Sequence, residues 1–277
     1  MSFVWTQEQI GRYQSYYEDL RTHHTTTYAR FETTTEFARS VLPPCLTPAE
    51  TPVLTVGVLA FIEWLHGVPN RAGRDRAAFV GLNARFGDRE GSYYLNAIEE
   101  EEVNIVTGRE LWGTPKKQGT VDFFEDGEEM VSYVTRKGHR LIEFSGLLGE
   151  AQPLDGDEES EYYFELRGHF GANGRGLREP ELVIFETPSL IKRSAPVTDV
   201  SLTLTGSPVD PGFDTIPVGA FIDGGHIGGE TSYVLQEVVE LKDDGHDYAP
   251  YLMGRLYDDW PDVREPGNRR QASAAAR

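Results

Sequence analysis

The sequence predicts an α+β fold that is mostly antiparallel β-sheet, and three observations carry the prediction. Apolar and polar residues alternate along many short runs, such as "VTDVSLTLTG" at 197–206, the period of a strand with one buried face. Turn pairs such as Asp126-Gly127 and Lys137-Gly138 separate consecutive runs, as in antiparallel neighbours joined by short hairpins. Helical spacing is confined to a few short stretches, two of them opened by capping boxes.

The chain in order supports this. Thr6-Gln7-Glu8-Gln9 is a capping box with Thr6 as N-cap, and Ile10, Tyr13, Tyr17 and Leu20 follow at helical spacing. A first helix is therefore expected over 6–22, with Tyr13, Tyr16 and Tyr17 as a docking face that favours self-association. A second box, Thr33-Thr34-Thr35-Glu36, opens a short helix through Leu42, which Pro43-Pro44 stops. Residues 53–65 read as a buried strand, apolar on both faces. Residues 76–86 and 92–98 read as paired strands joined by an 87–91 loop. Four acids at 99–102 suit a helix N-terminus, and Gly108 suits its C-terminal cap. Such a run is ordinarily solvated; the alternative is that one acid turns toward the lysines described below. Further strands are expected at 121–125, 130–136, 139–147, 162–168, 181–186 and 197–206, with 150–160 an exposed acidic loop. The segments "IPVGAFIDGGHIGG" and "SYVLQEVVEL" complete a single domain over 1–257, and 258–277 reads as a flexible tail.

Composition narrows the function classes. The net charge of −19 repels nucleic acid and anionic membrane surfaces. It also repels small anions, so a site for an acid substrate needs local positive charge. Cys45 is the one cysteine, so no intrachain disulfide forms, and its "LPPCL" setting makes it a packing residue. The first twenty residues lack the continuous apolar core of a signal peptide, and the apolar run at 53–65 is too short to span a membrane. A cytoplasmic protein is expected. No His-Glu-x-x-His, zinc-spaced cysteine pair, Gly-x-Ser-x-Gly elbow or dinucleotide fingerprint occurs, so neither a metal nor an organic cofactor is expected.

Chemistry concentrates at 108–119, "GRELWGTPKKQG". Pro115 fixes its own φ and biases Thr114 toward an extended conformation, and Leu111 and Trp112 supply apolar bulk. A lysine held beside apolar groups is a candidate Schiff-base nucleophile. An ordinary lysine has a pKa near ~10.4, so only roughly one in 2,500 is neutral at pH 7. Bringing it to about 7 requires roughly 4–5 kcal/mol of selective destabilisation of the ammonium. The plain alternative is a solvated lysine pair in a turn.

The motif resembles the acetoacetate decarboxylase superfamily signature, Gly-Arg-Glu followed by Pro-Lys-Lys-x-Gly, with weaker similarity over roughly 28–241. The resemblance implies a β-barrel or cone with short helices at its mouth, no cofactor, a small keto acid as partner and a tendency to homo-oligomers. It implies that Lys116 forms the Schiff base and that Lys117 tunes it. It implies a lyase, with decarboxylation of a β-keto acid first and aldolase-dehydratase chemistry on 2-oxo acids and aldehydes second. A non-catalytic ligand-binding or scaffold protein is the third possibility. The family's decarboxylases place an arginine ahead of the first short helix and two glutamates on the next strands. These positions fall near His24, Gly57 and Arg76-Ala77, and none matches. Glu63 or Asp75 can replace a glutamate, and Arg30 or Arg76 the arginine. Trp112, Arg76 and Glu63 are therefore the substrate-binding candidates. For Lys116, burial is expected to outweigh the charge of Lys117. In an extended segment the two side chains point apart, and charges about 8 Å apart shift a pKa by roughly 1.5 units, against roughly 3–5 for burial.

Overall fold

The computed structural model describes residues 3–18, 20–65, 68–242 and 244–259. Its elements in chain order are α1 (Gln7–Glu18), β1 (Arg21–Glu32), α2 (Thr35–Val41), β2 (Thr47–Pro48), β3 (Val53–Leu65), β4 (Val68–Phe86), β5 (Arg89–Glu99) and α3 (Glu102–Thr107). A π-helical turn (Gly108–Trp112) leads into β6 (Lys116–Gln118), β7 (Thr120–Asp126), β8 (Glu129–Arg136), β9 (His139–Leu148), β10 (Gln152–Glu159), β11 (Tyr162–Phe170) and β12 (Leu177–Glu186). Then come β13 (Ser189–Leu204), a 3-10 turn (Pro211–Thr215), β14 (Phe221–Ser232), β15 (Val234–Glu240) and α4 (Ala249–Leu256).

Both capping boxes start helices. Gln9 N donates to Thr6 Oγ1 (3.2 Å), and Thr6 N donates to Gln9 Oε1 (2.9 Å). The first helix stops at Glu18, short of 22, because the β-branched run that follows favours an extended chain and begins β1. Tyr13 is exposed, edge-on to Trp5; the side chains of Tyr16 and Tyr17 lie outside the described residues. In the second box the cap is Thr34, whose Oγ1 accepts from Phe37 N at 3.1 Å.

Fifteen strands form one sheet in the order β15-β12-β11-β5-β4-β3-β1-β14-β13-β9-β8-β7, with β10 on β13, β2 on β4 and β6 on β5. The described pairings are antiparallel except β5 with β6 and β5 with β11. Among the described residues the two ends, β15 and β7, are not paired, so the expected barrel or cone is an open one. Two apolar cores hold it. One joins β1, β3 and β4 to β7, β8 and β9; the other packs α2 and α4 against β11 and β12.

Several expectations are corrected. The 53–65 strand is core on one face only: Leu54, Val56 and Val58 are buried in the first core, while Thr55, Leu59, Phe61 and Glu63 border a cavity. The 87–91 loop shrinks to a Gly87-Asp88 turn, with Gly87 at φ +62° supplying the left-handed backbone. Within 150–160 lies β10, paired with β13 in an irregular register. Helix α4 was not anticipated. It is pinned by the buried Arg255, which donates to Glu165 and to the carbonyls of Tyr94 and Leu166. Asp258, where the tail was expected to begin, is ion-paired with Arg136 and Lys137, and 260–277 lie outside the described residues. Burial pushes the Cys45 thiol up to about 12, as suits a packing residue. Among the described residues no helix is long and apolar enough to cross a membrane, and no group of three or more His, Cys, Asp and Glu is placed to hold a metal.

Candidate active site

The lysine motif is positioned by a wrapped turn. Asp75, at the bend of β4, caps α3: its carboxylate accepts from the backbone N–H of Glu100 (3.1 Å) and Glu101 (3.2 Å) and from Asn104 Nδ2 (2.9 Å). Gly108 does not end the chain's right-handed path. Its φ is −62°, and the backbone widens into the π turn, which closes at Gly113 with φ +82°. Gly108 matters for another reason: a Cβ there would meet Lys116 Cδ and Cε at 2.5 Å, so its bare backbone is the floor on which the lysine lies. Beyond Pro115, β6 runs parallel to β5, with Ala97 opposite Lys116 and Ile98 opposite Lys117. Alternation then puts Lys116, Ala97 and Glu99 on one face and Lys117 on the other.

On that first face lies a cavity of about 690 Å³. Its inner end is formed by the buried Thr22, Glu99 and Thr114 with Lys116, Glu63 and Trp112; its rim carries the exposed Arg30, Glu90, Glu159 and Glu161. Thr22 and Arg30 both face it from β1, and eight residues at a rise of ~3.3 Å separate them by about 26 Å. Lys116 Nζ lies 2.8 Å from Glu99 Oε1, and Glu99 is only 4 % exposed. Glu99 Oε2 is buried without a hydrogen-bond partner.

The electrostatics correct the expected activation. Burial is the largest influence on Lys116 and pulls its pKa down, but the charge and hydrogen bond of Glu99 together overcome it, so the pKa stands above the usual lysine value. Burial pushes Glu99 up, with Lys116 pulling it back. The resting state is therefore an ammonium–carboxylate pair in a poorly solvated pocket, held against the desolvation that favours two neutral partners. His24 stands at the position near which the family's arginine falls. Burial and then His23 hold its pKa below the usual value, so the imidazole is neutral at pH 7.

Of the candidates, Lys116, Trp112 and Glu63 come together at the cavity. Arg76 does not: it is exposed on the opposite face of β4 from Ala77, its guanidinium directed at the Val121 carbonyl. Lys117 also points away, donating to Asp210 Oδ1 (2.8 Å) and to the Tyr257 carbonyl (3.1 Å), with Arg136 on the other Asp210 oxygen. Asp75 caps α3 instead of facing the cavity, and Arg30 reaches the rim in a two-pronged pair with Asp223 (2.6 and 2.5 Å). Glu99 emerged from the sequence only as one acid among four. Strand alternation from Tyr94 predicts that 99 faces away from the cavity, but one extra residue in β5, between Tyr94 and Asn96, reverses the faces beyond it.

The acetoacetate decarboxylase family model matches residues 5–241. The chain belongs to the acetoacetate decarboxylase family. Among solved structures, acetoacetate decarboxylase from Legionella pneumophila superposes with a TM-score of 0.68 at 14% identity, over 79% of this chain and 88% of that one. Another acetoacetate decarboxylase structure gives 0.69 at 18% identity, over 80% and 91%. MppR, an enduracididine biosynthesis enzyme complexed with pyruvate, gives 0.65 at 15%, over 82% and 91%. At these identities the likeness shows a shared acetoacetate decarboxylase fold. A comparison with curated protein sequences found no match. Membership in the acetoacetate decarboxylase family supports a lyase acting on small keto acids.

Proposed function

We propose that this protein is a Schiff-base-forming lyase in which Lys116 is the nucleophile and Glu99 its proton partner, acting first of all in decarboxylation of a β-keto acid. The observation that carries this is the 2.8 Å pair of Lys116 and Glu99 at the inner end of the cavity. A proton passes from the ammonium to the carboxylate, leaving a neutral amine that adds to the ketone carbon. Within the adduct, a proton moves from nitrogen to oxygen to give the carbinolamine. Protonated Glu99 then gives its proton to the departing hydroxyl, water leaves, and a protonated imine again faces a carboxylate. The bond to the carboxyl carbon breaks, its electron pair enters the imine, and carbon dioxide leaves an enamine. Protonation at carbon and hydrolysis return the ketone and the amine. The unpartnered Glu99 Oε2 is free to accept a hydrogen bond from the carbinolamine hydroxyl.

Aldol addition with dehydration is the second reading. It is favoured by a cavity that extends well past Lys116 and by the second carboxylate, Glu63, beside Glu99. Borohydride reduction in the presence of a β-keto acid should leave a covalent adduct on Lys116, with carbon dioxide released in its absence. Lys116→Ala should give neither. A condensation product from a 2-oxo acid and an aldehyde, without carbon dioxide, would select the second reading. No adduct with any keto acid or aldehyde would reject both and leave a non-catalytic binding protein.

A further inference from the structure

A feature the lysine chemistry does not use is the aromatic wall of the cavity. Phe79, Tyr94, Tyr163, Phe185, Trp112 and Tyr233 all line it. Their rings follow one another without a gap: 5.4 Å from Phe79 to Tyr94, 5.1 Å to Tyr163, 5.3 Å to Phe185, 5.1 Å to Trp112 and 5.0 Å to Tyr233. Tyr163 and Phe185 are stacked at 6°. The wall ends at the nucleophile, where Tyr233 lines the cavity near enough for the ammonium of Lys116 to act on its hydroxyl.

Three properties of this wall point to a ligand. Rings that only filled a core would be covered by other side chains, whereas these border a space of about 690 Å³. Cavities of roughly 300–1,000 Å³ bury drug-sized ligands, so a four-carbon keto acid leaves most of this one unfilled. A continuous ring wall has ring-sized, face-and-edge complementarity that a planar π-system satisfies better than an alkyl chain of equal volume. Charge narrows the class further. The cationic lysine and arginine side chains lining the cavity are Lys116 and Arg30, ion-paired with Glu99 and Asp223, while Glu63, Glu90, Glu159 and Glu161 add negative charge. Nothing in that set welcomes a second anionic group far from the lysine.

We propose that the substrate is a carbonyl compound bearing an uncharged aryl group, with the carbonyl at Lys116 and the aryl group lying along the wall from Trp112 and Phe185 to Tyr163 and Tyr94. This rests on Lys116 as the imine-forming lysine, and it names a substrate class that the lysine itself does not dictate.

The test compares acetoacetate, 3-oxo-5-phenylpentanoate and its cyclohexyl counterpart, 5-cyclohexyl-3-oxopentanoate, in borohydride trapping followed by intact mass. Isothermal titration calorimetry on Lys116→Ala measures binding without the imine. The phenyl compound should half-saturate trapping at a concentration about tenfold below acetoacetate and roughly threefold below the cyclohexyl compound, from ring–ring contact beyond area alone. Phe185→Leu should raise the half-saturating concentration of the phenyl compound by a larger factor than that of the cyclohexyl compound or of acetoacetate, and Tyr163→Leu serves the same end should that variant melt early. Trapping of acetoacetate at Lys116 with no gain from the phenyl group would overturn this proposal and leave the lysine standing. So would equal gains from phenyl and cyclohexyl. Binding of the phenyl compound to Lys116→Ala in preference to acetoacetate, with no trapping in the unaltered protein, would uphold the aromatic site and sink the lysine chemistry.

Discussion

Glu99 exerts two opposed effects on Lys116, and replacing it separates them. Its charge holds the amine protonated, yet it is also the nearest acceptor for the proton that must leave. In Glu99→Gln the burial of Lys116 is left uncompensated, so the amine's pKa falls. The pH profile of imine trapping should then move toward acid while its plateau drops, because the acceptor is gone. An unmoved midpoint would mean that Glu99 does not set the lysine's protonation. Lys117→Met should behave differently. Lys117 is already neutralised by Asp210, so trapping at neutral pH should persist, while stability falls by less than the roughly 3–5 kcal/mol seen when a buried charge is left unpaired, because Arg136 still holds Asp210. Denaturant unfolding and the trapping profile read the two effects separately. Lys116 and Trp112 were legible because the lysine motif is distinctive in itself, and Glu63 only as one of the acids able to replace a missing glutamate, since the one-sided alternation of β3 that turns it to the cavity was not read. Glu99 was not, because a single extra residue in β5 reverses its face, and nothing in the local composition announces it.

At the level of the turn that seats the lysine, two glycines of one motif should fail in different ways. A Cβ on Gly108 would meet the flexible side chain of Lys116, so Gly108→Ala should displace the amine and slow imine formation by about tenfold or more with little loss of melting temperature. Gly113 sits at φ +82°, and a Cβ there would meet the Leu166 carbonyl oxygen at 2.6 Å. Gly113→Ala should therefore lower the melting temperature first, through backbone strain and a clash with fixed backbone. Equal losses of stability in the two would show that Gly108 has no special relation to the lysine. The helices that sequence could find are those opened by a capping box or an acidic run; α4 begins at Tyr248 with neither, which is why its existence was not visible.

Across the whole molecule, stability should fall as pH rises through neutrality. Burial, against the pull of Arg255, raises the Glu165 carboxyl to about 8. A carboxyl with a folded pKa above its unfolded value of ~4.3 binds an extra proton in the native state. Its contribution is complete below that unfolded value and is lost as pH climbs through about 8. Glu165→Gln should flatten that part of the stability curve; a wild-type curve already flat between pH 5 and 8 would contradict it. The strand-rich architecture was legible from alternation and turns. Its open closure was not, because which strands meet at long range is set by packing that local pattern does not encode.

The ion pairs behind the lysine also impose an order of events on synthesis. Lys117 is 93 positions from Asp210 and 140 from Tyr257, the two groups that receive its hydrogen bonds. At roughly 5–20 residues per second, a ribosome takes about 7–28 s to cover the longer interval. Throughout it the nascent chain carries the lysine pair without its anchor. The strand that carries the lysine pair is thus anchored from behind only among the last acts of assembly.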